Sequence, residues 1–285
     1  MEAGKIDMQK FSYHTHTCFS DGKNTAEEMI QQAIDLGWEE LGISDHLIVH
    51  KNIADSFSWY SWKKEPKIFH FDFNSIYDSF AKHIEDVQEI AGKYNIKVRV
   101  GAEVDFFTYS GWFDEFMKFK ERINLDYYIS GNHFLFIDDE CSNIIDIKDA
   151  AHLDIKEQEN CIRRHFKTLG EAAKSGVFSF IAHIDYIRKT QICGRFDFLE
   201  EKKELIKVFT EANTATEVST KGLRKANDFY PNSDMIKQLM DNNIKLVISD
   251  DAHRVGELGY NFSDAEKVFS DNNYSNRWFF TENNK

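Results

Sequence analysis

Short apolar runs rich in β-branched or aromatic residues alternate with amphipathic helical stretches along almost the whole chain. Regular alternation of this kind is typical of a parallel α/β fold. Seven such runs in a chain of 285 residues favour a closed or nearly closed barrel over an open sheet. The predicted strands lie near Phe11–Thr15, Glu40–Ser44, Lys97–Val104, Tyr127–Ser130, Phe178–Ala182, Thr216–Val218 and Lys245–Ser249.

The stretches between the strands have helical periodicity. Residues Thr25 to Glu28 form a capping box, which predicts that the first helix begins there and ends near Gly37. The chain has no Gly/Ser-rich linker, internal repeat or shift in composition, so we expect one domain over residues 1–285. Further helices are predicted over Ile76–Tyr94, Glu159–Ser175, Phe198–Asn213 and Asp234–Asn242.

The segment Phe57–Phe80 is unusually aromatic for a connection. It is either a long connection packed on the barrel or a lid over the barrel mouth, since long ordered loops in compact domains often carry function. The sequence leaves both interpretations open.

Composition and charge exclude several classes of protein. The chain is 42% hydrophobic and 14% aromatic, which suits a globular core, and it has no apolar run long enough to cross a membrane. The segment Met1–Lys10 has no signal-peptide core, so we expect a cytoplasmic protein. Lys and Arg number 35 against 48 Asp and Glu, and the net charge of −13 disfavours nucleic acid and membrane surfaces as partners. The four cysteines form no C-x-x-C pair, which indicates reduced thiols.

Residue types that bind metals follow nearly every predicted strand. In a parallel barrel the carboxyl ends of all strands meet at one face, where active sites form. Residues i and i+2 of a strand point to the same side, which would pair His14 with His16 and Asp251 with His253. The candidate ligands are His14, His16, Asp21, His46, Glu103, His133, His183, Asp251 and His253.

So many imidazoles and carboxylates crowded at one face need compensation, because desolvation and like-charge repulsion both cost free energy. Divalent cations relieve that cost. Mixed nitrogen and oxygen ligands suit zinc, iron or manganese better than soft thiolate chemistry. The residues therefore predict a metal site at the barrel mouth, with the identity of the metals left open.

In order and spacing these nine residues resemble the polymerase and histidinol phosphatase (PHP) family, over roughly residues 11–259. Within that family the chain is most similar to the histidinol-phosphate phosphatase branch. The supporting stretches are residues 101–106, 126–134, 182–189 and 222–226. One departure is Ser130-Gly131-Asn132 before His133, where the branch more often has Gly-Ser-Val.

The resemblance implies a distorted (β/α)₇ barrel that holds three divalent metal ions. His14, His16, Glu103 and Asp251 would hold the first. Glu103 would bridge to a second held by His133 and His183, and the third would be held by Asp21, His46 and His253. On sequence alone Asp250 is an alternative to Asp251.

The resemblance also implies an activity: hydrolysis of L-histidinol phosphate to L-histidinol and phosphate, a step of histidine biosynthesis, by attack of a hydroxide between metals. Glu103 would be catalytic as the bridging carboxylate. Arg188 and Arg224 match the branch's phosphate-binding arginines, and a guanidinium forks well onto phosphate. Lys225 is a weaker candidate for substrate binding. Asp45 and Asp105, each beside a predicted ligand, are either groups that orient imidazoles or structural residues.

Other readings remain. The same chemistry could act on a nucleotide or sugar phosphate, or the barrel could bind metals without catalysis. An amidohydrolase would need an eighth strand and usually a lysine where this chain has Glu103, and a nuclease is disfavoured by the net charge. The residues do not decide the oligomeric state or the general acid for the leaving group.

Overall fold

The computed structural model describes residues 8–52, 68–138, 144–190 and 198–281. Its strands are β1 (Phe11–Ser12), β2 (Glu40–Ile43), β3 (His46–Val49), β4 (Phe69–His70), β5 (Lys97–Val104), β6 (Tyr127–Ser130), β7 (Phe134–Phe136), β8 (Ile144–Asp146), β9 (Phe180–Ile181), β10 (Ala215–Ser219) and β11 (Leu246–Ser249). Its α-helices are α1 (Ala26–Asp35), α2 (Phe73–Ala91), α3 (Trp112–Arg122), α4 (Ile155–Lys174), α5 (Leu199–Ala212), α6 (Lys221–Lys225), α7 (Ser233–Asp241) and α8 (Phe262–Asp271).

Seven parallel strands form a ring in the order β1-β2-β5-β6-β9-β10-β11. The chain beyond β1 closes the ring against the chain beyond β11, because Thr15 and Ala252 form a parallel bridge. The backbone nitrogen of His16 donates to the carbonyl of Ala252 over 2.8 Å. The predicted nearly closed α/β barrel is confirmed.

Each of the seven predicted strands has a counterpart in the ring, although β1 and β9 are only two residues long. The four remaining strands were not predicted. Strand β3 pairs with β5 and with β4, whereas β7 and β8 form an antiparallel hairpin. These short strands lie beside the carboxyl ends of β5 and β6, where they form part of the wall around the barrel mouth.

Local sequence signals determine where the first two helices begin. The capping box of α1 is present, with the Glu28 backbone nitrogen donating to the Thr25 hydroxyl and the Thr25 nitrogen donating to the Glu28 carboxylate. Helix α2 begins at Phe73, three residues before the predicted start, because the Asp72 carboxylate caps the Ser75 nitrogen at 2.8 Å. Helices α3, α6 and α8 were not predicted.

Aromatic side chains fill the end of the barrel opposite the mouth. We call this group the aromatic plug: Tyr13, Tyr127, Phe180, Trp278 and Phe280. Its rings contact one another edge to face, with centroids 4.8–6.2 Å apart. The plug also explains Gly101, since a Cβ there would lie 2.5 Å from the Tyr127 ring. The last described segment completes the plug, because the Trp278 nitrogen donates to the carbonyl of Leu246 at the start of β11.

Residues 57–67 of the aromatic segment Phe57–Phe80 lie outside the described residues, so the choice between a packed connection and a lid stays open. From residue 68 onward, Phe69 belongs to β4 and Phe73 begins α2. No helix within the described ranges is long and apolar enough to span a membrane. Of the cysteines in the described ranges, Cys161 is buried and Cys18 is exposed.

Candidate metal centre

The structure brings all nine predicted ligands together at the mouth. Most are delivered by the carboxyl end of a ring strand or by the first residues after it, whereas Asp21 lies nine residues beyond β1 and His46 opens β3. Six of them are at least nine-tenths buried, and the side chains of Asp21, His133 and His253 are 11%, 16% and 20% exposed. The clustering of these residues is therefore a property of the ring order, which places distant parts of the chain side by side.

Glu103 stands at the centre of this cluster. Its Oε1 lies 2.9 Å from Nε2 of His183, 3.3 Å from Nε2 of His14 and 3.5 Å from Nε2 of His133. Burial alone would raise the pKa of Glu103, but the surrounding imidazoles, His14 foremost, hold it well below its usual range. Gly131 makes this position possible, since a Cβ there would lie 1.8 Å from Oε1. The absence of a side chain at Gly131 thus leaves room for the central carboxylate.

The other carboxylate oxygen of Glu103 faces a second group of imidazoles. Oε2 lies 3.0 Å from Nδ1 of His46 and 3.4 Å from Nε2 of His16. The opposite edges of these rings turn toward Asp21, whose Oδ1 is 3.4 Å from Nε2 of His46 and 4.0 Å from Nδ1 of His16. Nε2 of His253 is 3.2 Å from the same oxygen. The imidazoles of His16 and His46 therefore lie between the carboxylates of Asp21 and Glu103.

Asp251, not Asp250, faces the cluster. Its Oδ1 lies 3.3 Å from Nε2 of His16, 3.4 Å from Nδ1 of His253 and 3.6 Å from Nε2 of His14. The Asp250 carboxylate turns away and accepts hydrogen bonds from a β1 serine hydroxyl and a backbone nitrogen. Burial raises the pKa of Asp250 to about 7. Asp250 is thus a structural carboxyl group beneath the site.

The donor set fits metal ions. Among the described residues, four groups of three or more ligand atoms lie within 4.8 Å of one another. Many of these buried atoms have no hydrogen-bond partner, and each such atom costs about 1–3 kcal/mol unless a ligand satisfies it. The unpartnered atoms are His14 Nε2, both ring nitrogens of His16, Asp21 Oδ1, His46 Nδ1, Glu103 Oε2, His183 Nδ1 and Asp251 Oδ1. A divalent cation is the partner that imidazole nitrogens and carboxylate oxygens share.

Protons compete for two of these imidazoles. Although burial opposes the charge, the carboxylates of Glu217, Asp251 and Glu103 raise the pKa of His14 well above its usual value. Glu103 and Asp21 raise that of His46 to about 9 against the same opposing burial. A metal ion must displace these protons, because only a neutral imidazole binds it.

Glu217 in β10 was missed by the sequence reasoning. Its Oε2 lies 2.9 Å from Nδ1 of His14, and its Oε1 accepts the backbone nitrogen of His183 at 2.8 Å. It thereby aims Nε2 of His14 at Glu103 and fixes the turn that carries His183. The signal was a lone carboxylate within an otherwise buried strand.

The two aspartates that adjoin ligands have different roles. The Asp105 carboxylate accepts a hydrogen bond from the His133 backbone nitrogen over 2.6 Å and lies 2.9 Å from Nδ1 of the same histidine. It therefore orients that ring, which is one of the two roles that the sequence predicted for it. The Asp45 backbone carbonyl accepts the Glu103 nitrogen over 3.1 Å, but its carboxylate has other partners. It accepts hydrogen bonds from Thr17 and Ser20 and lies 2.9 Å from Nε2 of His83, which shapes the loop before Asp21.

Lys221, at the start of α6, was also missed. Its Nζ lies 2.7 Å from Oδ2 of Asp251, the oxygen that does not face the imidazoles. The Lys221 side chain is only 14% exposed, and the neighbouring Asp251 raises its pKa although burial opposes this. The ammonium therefore holds Asp251 with one oxygen toward the cluster.

Two of the predicted ligands have backbone conformations that residues other than glycine rarely adopt. His183 has a φ of 24° and Asp251 a φ of 46°. Left-handed non-glycine residues cost on the order of 1–3 kcal/mol and are concentrated at functional sites. At Asp251 this conformation ends the extended run of β11 and turns the carboxylate into the mouth.

A cavity of about 410 Å³ opens above the cluster. Among the predicted substrate-binding residues, Arg224 and Lys225 line it. Nη1 of Arg224 lies 3.4 Å from Oε2 of Glu257, and Nη2 donates to the Asp250 carbonyl over 2.9 Å. These two contacts orient the guanidinium.

Arg188 is not among the residues that line this cavity. Its Nε donates to Asp185 Oδ2 at 2.5 Å, its Nη2 donates to the Phe229 carbonyl, and its guanidinium lies 5.1 Å from the Tyr230 ring centroid. These contacts tie the end of β9 to the segment before α7. A phosphate contact from Arg188 stays a prediction.

The barrel fold and the cluster at its mouth place the chain in a known class of protein domain. Residues 12–221 match the PHP domain family, and the chain belongs to it.

Two related proteins and one crystal structure are similar to this chain over most of its length. The chain is 25% identical over 265 residues to the protein named "Probable histidinol-phosphatase" of Deinococcus radiodurans, covering 90% of this chain and 91% of the relative. It is 22% identical to the histidinol-phosphatase of Bacillus subtilis, covering 89% of this chain and 97% of that protein. The crystal structure of histidinol phosphate phosphatase from Lactococcus lactis, complexed with zinc, L-histidinol and phosphate, superposes with a TM-score of 0.64 at 18% identity, covering 94% and 95% of the two chains.

Proposed function

We propose that this protein is a metal-dependent phosphomonoesterase that hydrolyses L-histidinol phosphate to L-histidinol and inorganic phosphate. The observation that carries the proposal is the cluster of nine candidate ligand groups, six of them buried and several with unpartnered atoms, beneath a cavity rimmed by cationic side chains. The named relatives support the choice of substrate. The reaction would serve histidine biosynthesis.

The proposed centre holds three divalent ions, with zinc favoured by the Lactococcus lactis complex. His14, His16, Glu103 and Asp251 would hold one ion. The remaining ligands would complete a second ion with Glu103, through His133 and His183, and a third through Asp21, His46 and His253. The ions supply Lewis acidity, which lowers the pKa of water and neutralises phosphate oxygens.

The protein's own residues position the substrate. Arg224 and Lys225, on the short helix α6, present cationic groups to the cavity from the side where β10 ends. Glu257 and the Asp250 carbonyl hold the guanidinium of Arg224, so that little rotamer entropy is lost when phosphate binds. Glu103 remains the central catalytic carboxylate of the proposal, because it contacts imidazoles of every proposed ion site.

The experiment is phosphate release from a panel containing L-histidinol phosphate, nucleotides and sugar phosphates, with zinc, manganese or iron supplied to chelated protein. We expect the highest kcat/KM for L-histidinol phosphate and no activity without metal. A nucleotide or sugar phosphate with the higher kcat/KM would replace the substrate. A complete lack of hydrolysis with every metal would leave a barrel that binds metals without catalysis.

The arginines provide an internal control. We expect Arg224→Met to lose on the order of 10²-fold in kcat/KM and to weaken inhibition by inorganic phosphate, with metal content unchanged. Arg188→Met should instead lower the free energy of unfolding, because Asp185 loses its buried partner. Equal inhibition of the Arg224 variant and the wild type by phosphate would remove Arg224 from the proposed phosphate site.

A further inference from the structure

Asp21 differs from the other predicted ligands in what fixes its position. The others lie in a ring strand, at the start of β3 or just beyond the end of a ring strand. Asp21 belongs to a loop after β1, and we call residues 17–22 the Asp21 loop. Because no strand runs through this loop, the place of the Asp21 carboxylate between His46 and His253 depends on what the loop contacts.

Asp45 holds the polar side of the Asp21 loop. Its Oδ1 accepts hydrogen bonds from the Thr17 backbone nitrogen over 2.8 Å and from the Ser20 hydroxyl over 2.5 Å. Its Oδ2 accepts the Thr17 hydroxyl over 2.7 Å and lies 2.9 Å from Nε2 of His83. Asp45 is fully buried and the His83 side chain is 8% exposed, so solvent screens the contact between them only weakly.

His83 also contacts the apolar side of the loop. Its ring stacks on that of Phe19, with centroids 4.0 Å apart and planes inclined by 4°. The Phe19 ring meets Phe80 edge to face, with centroids 5.3 Å apart. Phe80 and His83 are one turn apart on α2, so this helix provides the surface on which the loop rests. His83 is therefore the one side chain described here that contacts both Asp45 and the Asp21 loop.

We infer that His83 is a positioning residue, which holds the Asp21 loop in place for the ion proposed to bind Asp21, His46 and His253. The inference rests on the proposed three-ion centre and deepens it. His83 acts through the two contacts described above and not by binding the ion. A loop that is already fixed loses little conformational entropy when the ion binds, so its affinity is higher. The other proposed ions have ligands in or just beyond ring strands and should not depend on His83.

Two substitutions separate the polar contact of His83 from its stacking contact. His83→Phe keeps a ring beside Phe19 but loses the contact with Asp45, whereas His83→Gln keeps a polar group for Asp45 and loses the ring. Competition with a chelator measures the affinity of each zinc ion in the loaded protein. For both variants we expect one ion to bind at least about 10-fold more weakly and the others to stay within about twofold.

A control and the contrary outcomes complete this experiment. His152 is exposed, and His152→Gln should leave every affinity unchanged. Thermal unfolding of each variant monitors the fold. Equal weakening of all the ions would mean that His83 stabilises the whole barrel, and unchanged affinities would mean that the loop does not need it. Either result would overturn the inference.

A double-mutant cycle tests whether His83 acts through the loop. Phe19→Leu keeps an apolar side chain and removes the stacking. If the stacked pair acts as a unit, His83→Gln combined with Phe19→Leu should weaken the ion about as much as the stronger single substitution. Fully additive losses would show that the two residues act independently and would overturn the inference.

Hydrogen exchange of the metal-free protein tests the loop without any ion or substrate. The backbone nitrogens of Ser20 and Gly22 donate to the Thr17 carbonyl over 3.1 and 2.9 Å. In His83→Phe we expect these amides to exchange at least about 10-fold faster than in the wild type, with the Val218 amide of β10 within about twofold. Unchanged exchange in the loop would overturn the inference.

Failure of the proposed function gives a different result. A protein that hydrolyses none of the phosphate esters would refute the proposed activity, whereas the chelator competition and the hydrogen exchange need no substrate. These two measurements would still decide the role of His83.

Discussion

The two ends of this barrel are built on opposite principles. At the mouth, carboxylates and imidazoles are buried with unpartnered atoms, and two of the predicted ligands have left-handed backbones. At the other end, the aromatic plug packs ring against ring, and the Tyr127 hydroxyl donates to the Tyr13 carbonyl over 2.8 Å. The same seven strands connect the two ends.

The comparison teaches where stability and function reside. A satisfied apolar end contributes burial and packing, whereas the mouth carries polar groups that no protein atom satisfies. A substitution at the plug should therefore change the free energy of unfolding and leave chemistry intact. A substitution at the mouth should change metal binding and chemistry first.

The largest expected effect is that of Glu103→Gln. The variant keeps the shape but removes the charge from between five imidazoles, so kcat should fall by at least ~10³-fold and the metal content should fall with it. Glu266→Gln is the matched control, since Glu266 is a buried carboxylate paired with Arg277 near the plug. It should retain turnover and metal. Wild-type metal content in the Glu103 variant would show that the centre is misassigned.

The next effect in size is steric. In Gly131→Ala the new methyl group overlaps Glu103 Oε1, and displacing that carboxylate by about 1 Å should reduce kcat on the order of 10²-fold. Gly256→Ala serves as the control, because a Cβ there meets no atom within 4 Å. Steady-state kinetics with metal analysis decides the result. Equal activity of the two variants would mean that Glu103 does not need this space.

At the plug we expect a stability effect of similar size. Trp278→Ala removes edge-to-face contacts with Tyr13, Phe180 and Phe280 and should cost about 3 kcal/mol in the free energy of unfolding. The kcat/KM per folded molecule should remain within about twofold. The neighbouring Phe279 is 48% exposed, and Phe279→Ala should cost less than about 0.5 kcal/mol. Denaturant titrations provide both values, and a large loss of activity in folded Trp278→Ala would break the separation between the two ends.

The smallest effect is the pH dependence of metal affinity. The carboxylates around His14 and His46 raise the pKa of both imidazoles, that of His46 to about 9, so His46 is protonated in the metal-free protein at pH 7.5. Metal binding should therefore release protons there. Affinity for zinc should increase as pH rises and level off above about 9 for the contribution of His46. Calorimetric titrations in two buffers of different ionisation enthalpy measure the release, and a value near zero would contradict the assignment.

The sequence predicted the parts of the molecule that depend on local pattern. The seven ring strands, the capping box of α1 and the nine clustered ligands all follow from short motifs and from the meeting of strand ends at one face. Some of the reasoning was wrong even where the outcome holds. Asp251 and His253 both follow β11, which ends at Ser249, so strand alternation does not aim them at the mouth. The left-handed backbone at Asp251 makes that turn.

Long-range contacts produced what the sequence did not predict. Strand β4 is two residues long and exists because β3 lies beside it. Glu217 reaches a histidine 203 positions earlier in the chain, and Lys221 reaches Asp251 from a different loop. Single-sequence periodicity contains no information about such pairs. The burial of a lone carboxylate in β10 was the one local sign that a partner existed.

The central claim is that the nine groups at the mouth are a metal centre that hydrolyses phosphate monoesters. The direct measurement strips the protein with chelator, then adds zinc or manganese stepwise while bound metal and phosphate release from L-histidinol phosphate are followed together. We expect no activity at zero occupancy, activity that increases with bound metal, and saturation near three ions. Full activity in the stripped protein would contradict the claim. Tight binding of equal amounts of metal by the wild type and the Glu103→Gln variant would also contradict it.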